Sequence, residues 1–246
     1  MATSQGQRGR KEIIMSTVLE LEDLKKRYGS IWALNGIDLR VGKGEVLGLL
    51  GPNGSGKTTM LKLISGLARP TDGRILINGQ KPGPASKAHM AILPDVDHIY
   101  EWMTVQQAVD YVSSFYEDFD YDKARRLIEL MNIETDIKVG HLSRGMNERL
   151  KLVIVISRNA ELILLDEPLG GIDPTSRDKI VHAIATEYRW EDSAMIIATH
   201  LVRDIESIFD KVLFLKSGQI ALYGSADELR EKYNGSVEDI FKEVFA

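Results

Sequence analysis

The chain has 246 residues, enough for one large domain or two small ones, and its 43% hydrophobic and 27% charged residues exclude disordered, collagenous and coiled-coil classes. A net charge of −5, from 31 Lys+Arg against 36 Asp+Glu, gives no electrostatic reason to expect a nucleic-acid partner. With no cysteine, disulfide scaffolds, thiolate metal sites and cysteine nucleophiles are removed together.

Residues 1–15 are polar and mildly basic over most of their length, without the apolar stretch of a secretory signal, and read as a disordered leader. Folding is expected to start at residue 16. Apolar and polar residues alternate over 18–24 and 34–41, the period of half-buried strands. Residues 45–50, EVLGLL, form a short apolar run ending at a glycine, as a strand buried on both faces would. Apolar residues at Met60, Leu61, Leu63, Ile64 and Leu67 then fall at helical spacing.

Between that strand and that helix lies Gly51-Pro52-Asn53-Gly54-Ser55-Gly56-Lys57-Thr58, which fits the G-x-x-x-x-G-K-[ST] pattern in the context its mechanism requires. The glycines let backbone N–H groups converge on phosphate oxygens. The helix N-terminus adds partial positive charge, Lys57 neutralises the β- and γ-phosphates, and Thr58, followed by Thr59, brings a hydroxyl to Mg²⁺.

Residues 105–116, 122–131 and 146–157 read as three helices with almost no strand pattern between them, as in an inserted helical subdomain. Seven aromatic residues crowd the stretch from Tyr100 to Tyr121. Tyr111 and Phe115, four apart, suit a helix core. Strand patterns resume at 162–165, 194–198 and 212–215, separated by helical stretches, which argues for a parallel α/β topology. The densest apolar runs, 152–156 and 162–165, fall far short of the roughly 20 residues that cross a bilayer, so any membrane role runs through a partner.

The run 162–165 delivers two adjacent carboxylates, Asp166 and Glu167. Phosphoryl transfer needs one acid to hold the metal's water shell and a group to orient the attacking water. Asp166 suits the first task and Glu167 the second, as general base.

These motifs, in this order, resemble the ATP-binding subunit of an ABC transporter over residues 18–246. The resemblance implies a P-loop NTPase (RecA-like) α/β core with an N-terminal antiparallel β-subdomain and an inserted α-helical subdomain. Its core would be 16–91 and 160–246, its helical part 92–159. Leu142-Ser143-Arg144-Gly145-Met146 resembles the LSGGQ signature, with Arg144 for the first glycine and Met146 for the glutamine. In the family this loop completes the site of the opposite subunit. Ser143 is also a good N-cap for the helix that follows. The altered signature is similar to those of bacterial exporters whose membrane subunit is a separate chain.

Carried over position by position, Tyr28 resembles the aromatic that stacks on adenine, and Asp173 the D-loop aspartate that communicates between paired sites. His200 resembles the switch histidine that contacts the γ-phosphate. Asp95 stands where the family usually has a glutamine linking metal and attacking water to the helical subdomain. Shorter and charged, Asp95 would approach Mg²⁺ through water, with Thr58 and Asp166, or loosen that coupling. The implied activity is ATP hydrolysis with Mg²⁺. The implied partners are a transmembrane permease subunit and a second ATP-binding subunit, identical or not, on the inner face of the cell membrane. In the family a short permease helix enters a groove beside the aromatic-rich region, and Tyr100 and Trp102 are expected to line it. Two other readings stand: a soluble ABC ATPase acting on nucleic acid or ribosomes, and a small-molecule kinase. The amphipathic stretch 237–245 would pack on the core or on a partner.

Overall fold

A computed structural model describes residues 17–94, 99–188 and 192–246. The chain opens with two long strands, β1 (Thr17–Tyr28) and β2 (Ile31–Gly42), then β3 (Val46–Leu50), α1 (Lys57–Ile64), β4 (Asp72–Ile77), α2 (Pro84–Ala88) and β5 (Met90–Leu93). Three helices follow, α3 (Val105–Ser113), α4 (Tyr121–Leu130) and α5 (Arg144–Ile156). The chain then alternates through β6 (Leu162–Asp166), α6 (Pro174–Glu187), β7 (Ala194–Thr199), α7 (Val202–Ile205), β8 (Lys211–Lys216) and β9 (Gln219–Ser225). It closes with α8 (Ala226–Tyr233) and α9 (Val237–Phe245).

The strands form two sheets. One is antiparallel, in the order β2-β1-β4. The other has six strands in the order β5-β6-β7-β3-β8-β9, parallel except for the edge strand β9. This is the expected P-loop NTPase architecture, with its antiparallel β-subdomain and a helical segment beginning only after β5 has ended at Leu93.

The near-continuous apolar runs of the central strands follow from the layering. Successive side chains of a strand point to opposite faces, so a strand covered on both sides must be apolar throughout. In β3, Leu47 and Leu49 face a core shared with α1 and the antiparallel sheet, while Val46 and Leu50 face a second core shared with α3 to α6. The same division runs through β6, with Leu162 and Leu164 on the first side and Ile163 and Leu165 on the second.

The sheet is thus packed on both faces, and the loops at the carboxyl ends of its strands are anchored in it. Arg158, at the end of the helical segment, ties the two parts together. It pairs with Asp118 at 2.8 Å, donates to the carbonyl of Met90 on β5 at 2.7 Å and stacks on Tyr116. At the other end of the chain, α9 packs on the core: Phe241 and Phe245 lie with ring centroids 6.2 Å from that of the buried Phe214.

Gly48 is the one position of β3 without a side chain, and the ring of Phe209 takes the space. A β-carbon there would stand 2.8 Å from two of its ring carbons. Gly48→Ala is therefore expected to lower stability by about 1–3 kcal/mol through overpacking, measured by urea denaturation. Adding Phe209→Leu should cost less than the two single changes summed. A Gly48→Ala protein as stable as the parent would contradict this packing.

Candidate nucleotide site

The candidate site is built at the carboxyl ends of β3, β6 and β7. Leaving β3, the chain wraps through residues 51–56 and enters α1 at Lys57. Gly54 and Gly56 sit at φ values of +79° and +113°, in the left-handed region that glycine enters without steric cost. A β-carbon at Gly56 would also stand 2.5 Å from the carbonyl oxygen of Ala33. The loop is pinned from behind, because Gly218, in the turn between β8 and β9, donates to the carbonyl of Ser55 at 3.0 Å.

α1 begins with no side-chain cap and no acidic residue in its first turn, so its initial N–H groups have no intrahelical partner and face outward with the positive end of the helix. Among the described residues the buried hydroxyl of Ser55 also has no hydrogen-bond partner. Asn53, Gly54, Gly56, Lys57, Thr58 and Thr59 line a cavity of about 240 Å³, closed on the far side by Asp166, Glu167 and Ala33. The lining thus combines the glycine loop, a lysine and two threonines with two carboxylates, a set that a phosphate chain with a bound cation fits.

Lys57 is buried. Its ammonium donates to the carbonyls of Gly51 at 2.7 Å and Pro52 at 3.3 Å and stands 3.7 Å from Glu167 Oε1. Burial pulls its pKa below the ordinary lysine value, and the charges of Glu167 and Asp166 oppose that shift.

Asp166 ends β6 buried. Glu167 follows in the left-handed region at φ +48°, a conformation a residue with a Cβ adopts only where its surroundings impose it. Those surroundings are visible: its N–H donates to Ala198 at 2.8 Å on the adjacent strand, and its carbonyl accepts from Gly170 at 2.8 Å. The carboxylate accepts from Thr199 Oγ1 at 2.9 Å and from the His200 N–H at 3.3 Å, and faces His200 Nδ1 at 2.9 Å. A carboxylate oxygen only accepts, so Nδ1 is the donor and Nε2 is left to act elsewhere. Thr199 is the residue that sequence reasoning passes over, since a threonine at a strand end carries no pattern of its own.

The donor set suits Mg²⁺. Hard oxygen ligands are what the ion prefers, and it is commonly held by one or two protein oxygens together with substrate phosphates. Thr58 and Asp166 offer such oxygens on either side of the cavity. Among the described residues no group of three or more His, Asp or Glu forms a cage of its own. Asp95, the third expected oxygen, lies outside the described residues, as does the 1–15 leader.

Three expected residue sets stand apart from the cavity among the described residues. Tyr28 is 51% exposed at the tip of the β1–β2 hairpin that also carries Ala33, with Lys26 Nζ 4.9 Å from its ring centroid. Ser143 caps α5, accepting from the Met146 N–H at 3.3 Å, and Leu142, Arg144, Gly145 and Met146 lie with it away from the phosphate loop. Asp173 caps α6 ahead of Pro174, accepting from Thr175 Oγ1 at 2.5 Å and from the Ser176 N–H at 3.0 Å. The signature and D-loop positions touch each other within the chain: a β-carbon at Gly171 would stand 3.0 Å from Arg144 Nε.

The aromatic residues divide between a groove and the turn ahead of α3. The groove between α3, the end of α5 and β5, about 350 Å³, is lined by Tyr111, Val112, Phe115 and Tyr116 together with Met90, Ile92 and Arg158. Tyr100 and Trp102 do not line it. They stack on each other at 6.0 Å in the turn ahead of α3, and Tyr100 meets Tyr111 edge-on at 5.8 Å, which makes the pair an outer ledge.

The sequence profile of the ABC transporter family matches residues 34–170. The chain is similar to the ABC transporter ATP-binding protein YtrB of Bacillus subtilis (strain 168), with 34% identity over 88% of this chain and 75% of the relative. It is also similar to the Nod factor export ATP-binding protein I of Burkholderia orbicola (strain AU 1054), with 32% identity over 88% of this chain and 74% of the relative. Among solved structures, the ATP-binding subunit of an ABC transporter superposes with a TM-score of 0.81 at 26% identity, covering 94% of this chain and all of the other. The dimeric structure of MJ0796, a bacterial ABC transporter cassette, shares the fold with a TM-score of 0.74 at 22% identity, covering 84% of this chain and 98% of the other.

The Asp173 cap carries a pH signature. The hydroxyl of Thr175 first, and Ser176 next, hold its carboxyl down at about 2 from an ordinary 3.8. With the folded value below the unfolded one, the cap contributes stability above the ordinary value and loses it as pH falls through the folded value. At about pH 3 the side-chain carboxyl signal of Asp173 in a carbon-13 spectrum should still be that of the ionised form. A midpoint at the ordinary aspartate value would contradict the geometry.

Proposed function

Since the chain belongs to the ABC transporter family, as an ATP-binding subunit that hydrolyses ATP, we propose that it works as one half of a dimer. The two halves close around two Mg-ATP and drive a separate membrane permease, in the outward direction.

The observation that carries this reading is the division of the site. The phosphate loop, Lys57, Asp166 and Glu167 share one cavity, whereas Ser143 at the start of α5 stands outside it, exposed together with Arg144. A second copy would bring Ser143 and its backbone donors over the γ-phosphate that the first copy holds. That the similarly folded MJ0796 cassette has a dimeric structure supports the pairing of two copies. The outward direction is supported by the substituted signature, with Arg144 and Met146, and by the Nod factor export relative.

In this reading Lys57 and the N–H groups of residues 54–59 bind the β- and γ-phosphates, and Tyr28 stacks on the base. Thr58 and Asp166, with Asp95, would hold Mg²⁺, which would supply neutralisation of phosphate charge. Glu167 takes a proton from water as its oxygen bonds to the γ-phosphorus and the bond to the bridging oxygen breaks. Thr199 and His200 hold that carboxylate in place, and His200 Nε2 faces the γ-phosphate. Asp173 meets the second subunit. The permease would dock a cytoplasmic helix in the groove at Tyr111 and Phe115, the latter 63% exposed. Among the described residues no helix is long and apolar enough to cross a membrane, so attachment to the inner membrane face would run through the permease.

Glu167→Gln should cut turnover by about two to four orders of magnitude while nucleotide binding persists. With that substitution, ATP should shift the protein from monomer to dimer on gel filtration. Activity near the unmutated level, or a monomer at saturating nucleotide, would contradict the reading. Replacing Tyr111 and Phe115 together by serine should release the protein from washed native membranes into the soluble fraction, with ATPase activity of the isolated protein retained; unchanged membrane retention would refute the docking surface.

A further inference from the structure

α6 begins with a cation in an unfavourable place. Arg177 sits in the first turn, where the positive end of the helix repels it, and two partners outside the helix hold it there. Its Nε donates to the carbonyl of Ile172 at 3.1 Å, inside the 170–173 loop, and its Nη1 donates to Asp204 Oδ2 at 2.6 Å, inside α7. Both ends of the pair are shielded from solvent, with side-chain exposures of 22% and 31%.

α7 follows directly on His200. Its Val202 and Ile205 are fully buried, so it moves only with the core or as a unit. At its start the Leu201 N–H donates to Thr199 Oγ1 at 3.0 Å, and that same hydroxyl donates to Glu167. Two directed bonds thus run from the Ile172 carbonyl through Arg177 to Asp204, and the covalent chain of α7 carries the link on to Leu201 and Thr199, whose hydroxyl holds the Glu167 carboxylate.

We propose that Arg177 is a positioning residue that makes the 170–173 loop and the His200 segment move together, so that a contact received at Asp173 sets the Glu167–His200 geometry. The proposal rests on the two-copy reading for the origin of that contact. A planar guanidinium suits the task, because its fork satisfies two acceptors in fixed directions at once.

A double-mutant cycle tests it, using Arg177→Met, Asp204→Asn and both together in the full chain. Each single change should lower kcat by about 10- to 100-fold through misplacement of the reacting groups, with KM for ATP shifted by no more than about twofold. The double variant should be no slower than the slower single, because the residues act as one unit. Unchanged kcat, effects that multiply, or a kcat loss that vanishes on correction for the fraction folded would each overturn the proposal. In the Glu167→Gln background, Arg177→Met should still dimerise with ATP; loss of the dimer only when Arg177 is replaced would assign the residue to assembly and overturn the positioning role. Failure of Glu167→Gln itself to dimerise would sink the two-copy reading separately, while the kinetic cycle would still decide the link between Arg177 and Asp204.

Discussion

The site depends on β6 and β7 ending side by side. Their parallel register sets Asp166 opposite Ala198, so the next residue on each chain, Glu167 and Thr199, emerges at the same edge with His200 beside them. Two acids at the end of a buried strand would be costly if left alone. Here Glu167 has a hydroxyl, an imidazole, a backbone N–H and the Lys57 ammonium around it. The left-handed backbone at Glu167 is held by bonds to Ala198 and Gly170, so the strain belongs to the same construction that aims the carboxylate.

The phosphate loop supplies the complementary charge. Its glycines turn backbone donors inward and its lysine is held against loop carbonyls and Glu167, where burial weakens the proton's hold. The two cores on either face of the sheet anchor the strands from which both halves of the cavity spring. Further out lie the capped starts of α5 and α6, which approach each other at Arg144 and Gly171, and α7, which Arg177 ties to the 170–173 loop.

Much of this is readable in the sequence where a residue type answers a local demand. The phosphate loop is, since glycine, lysine and threonine at that spacing between a buried strand and a helix have one economical explanation. The helices of the central segment are, with boundaries within a few residues, because their apolar spacing is regular and Thr104, Asp120 and Ser143 cap them. Strands β4 and β9 are not, because each lies at a sheet edge and carries exposed charged or polar residues that blur the alternation. Thr199 and Arg177 are silent for another reason: what they do is set by partners that are 32 and 27 residues away in the chain and meet only once it has folded. The placement of Tyr100, Trp102, Tyr111 and Phe115 is not readable either, because aromatic density does not say which ring lines the groove. The alternatives for the C-terminal stretch resolve in favour of the core, where Phe214 receives it.

In the proposed reading, what unites these features is a pocket of which one chain supplies half. A crystal structure of the Glu167→Gln protein with Mg-ATP examines this most directly. The account predicts that Ser143 of the partner subunit lies within hydrogen-bonding distance of the γ-phosphate held by Lys57. A lone subunit enclosing its nucleotide, with Ser143 remote from any neighbour's phosphates, would contradict it.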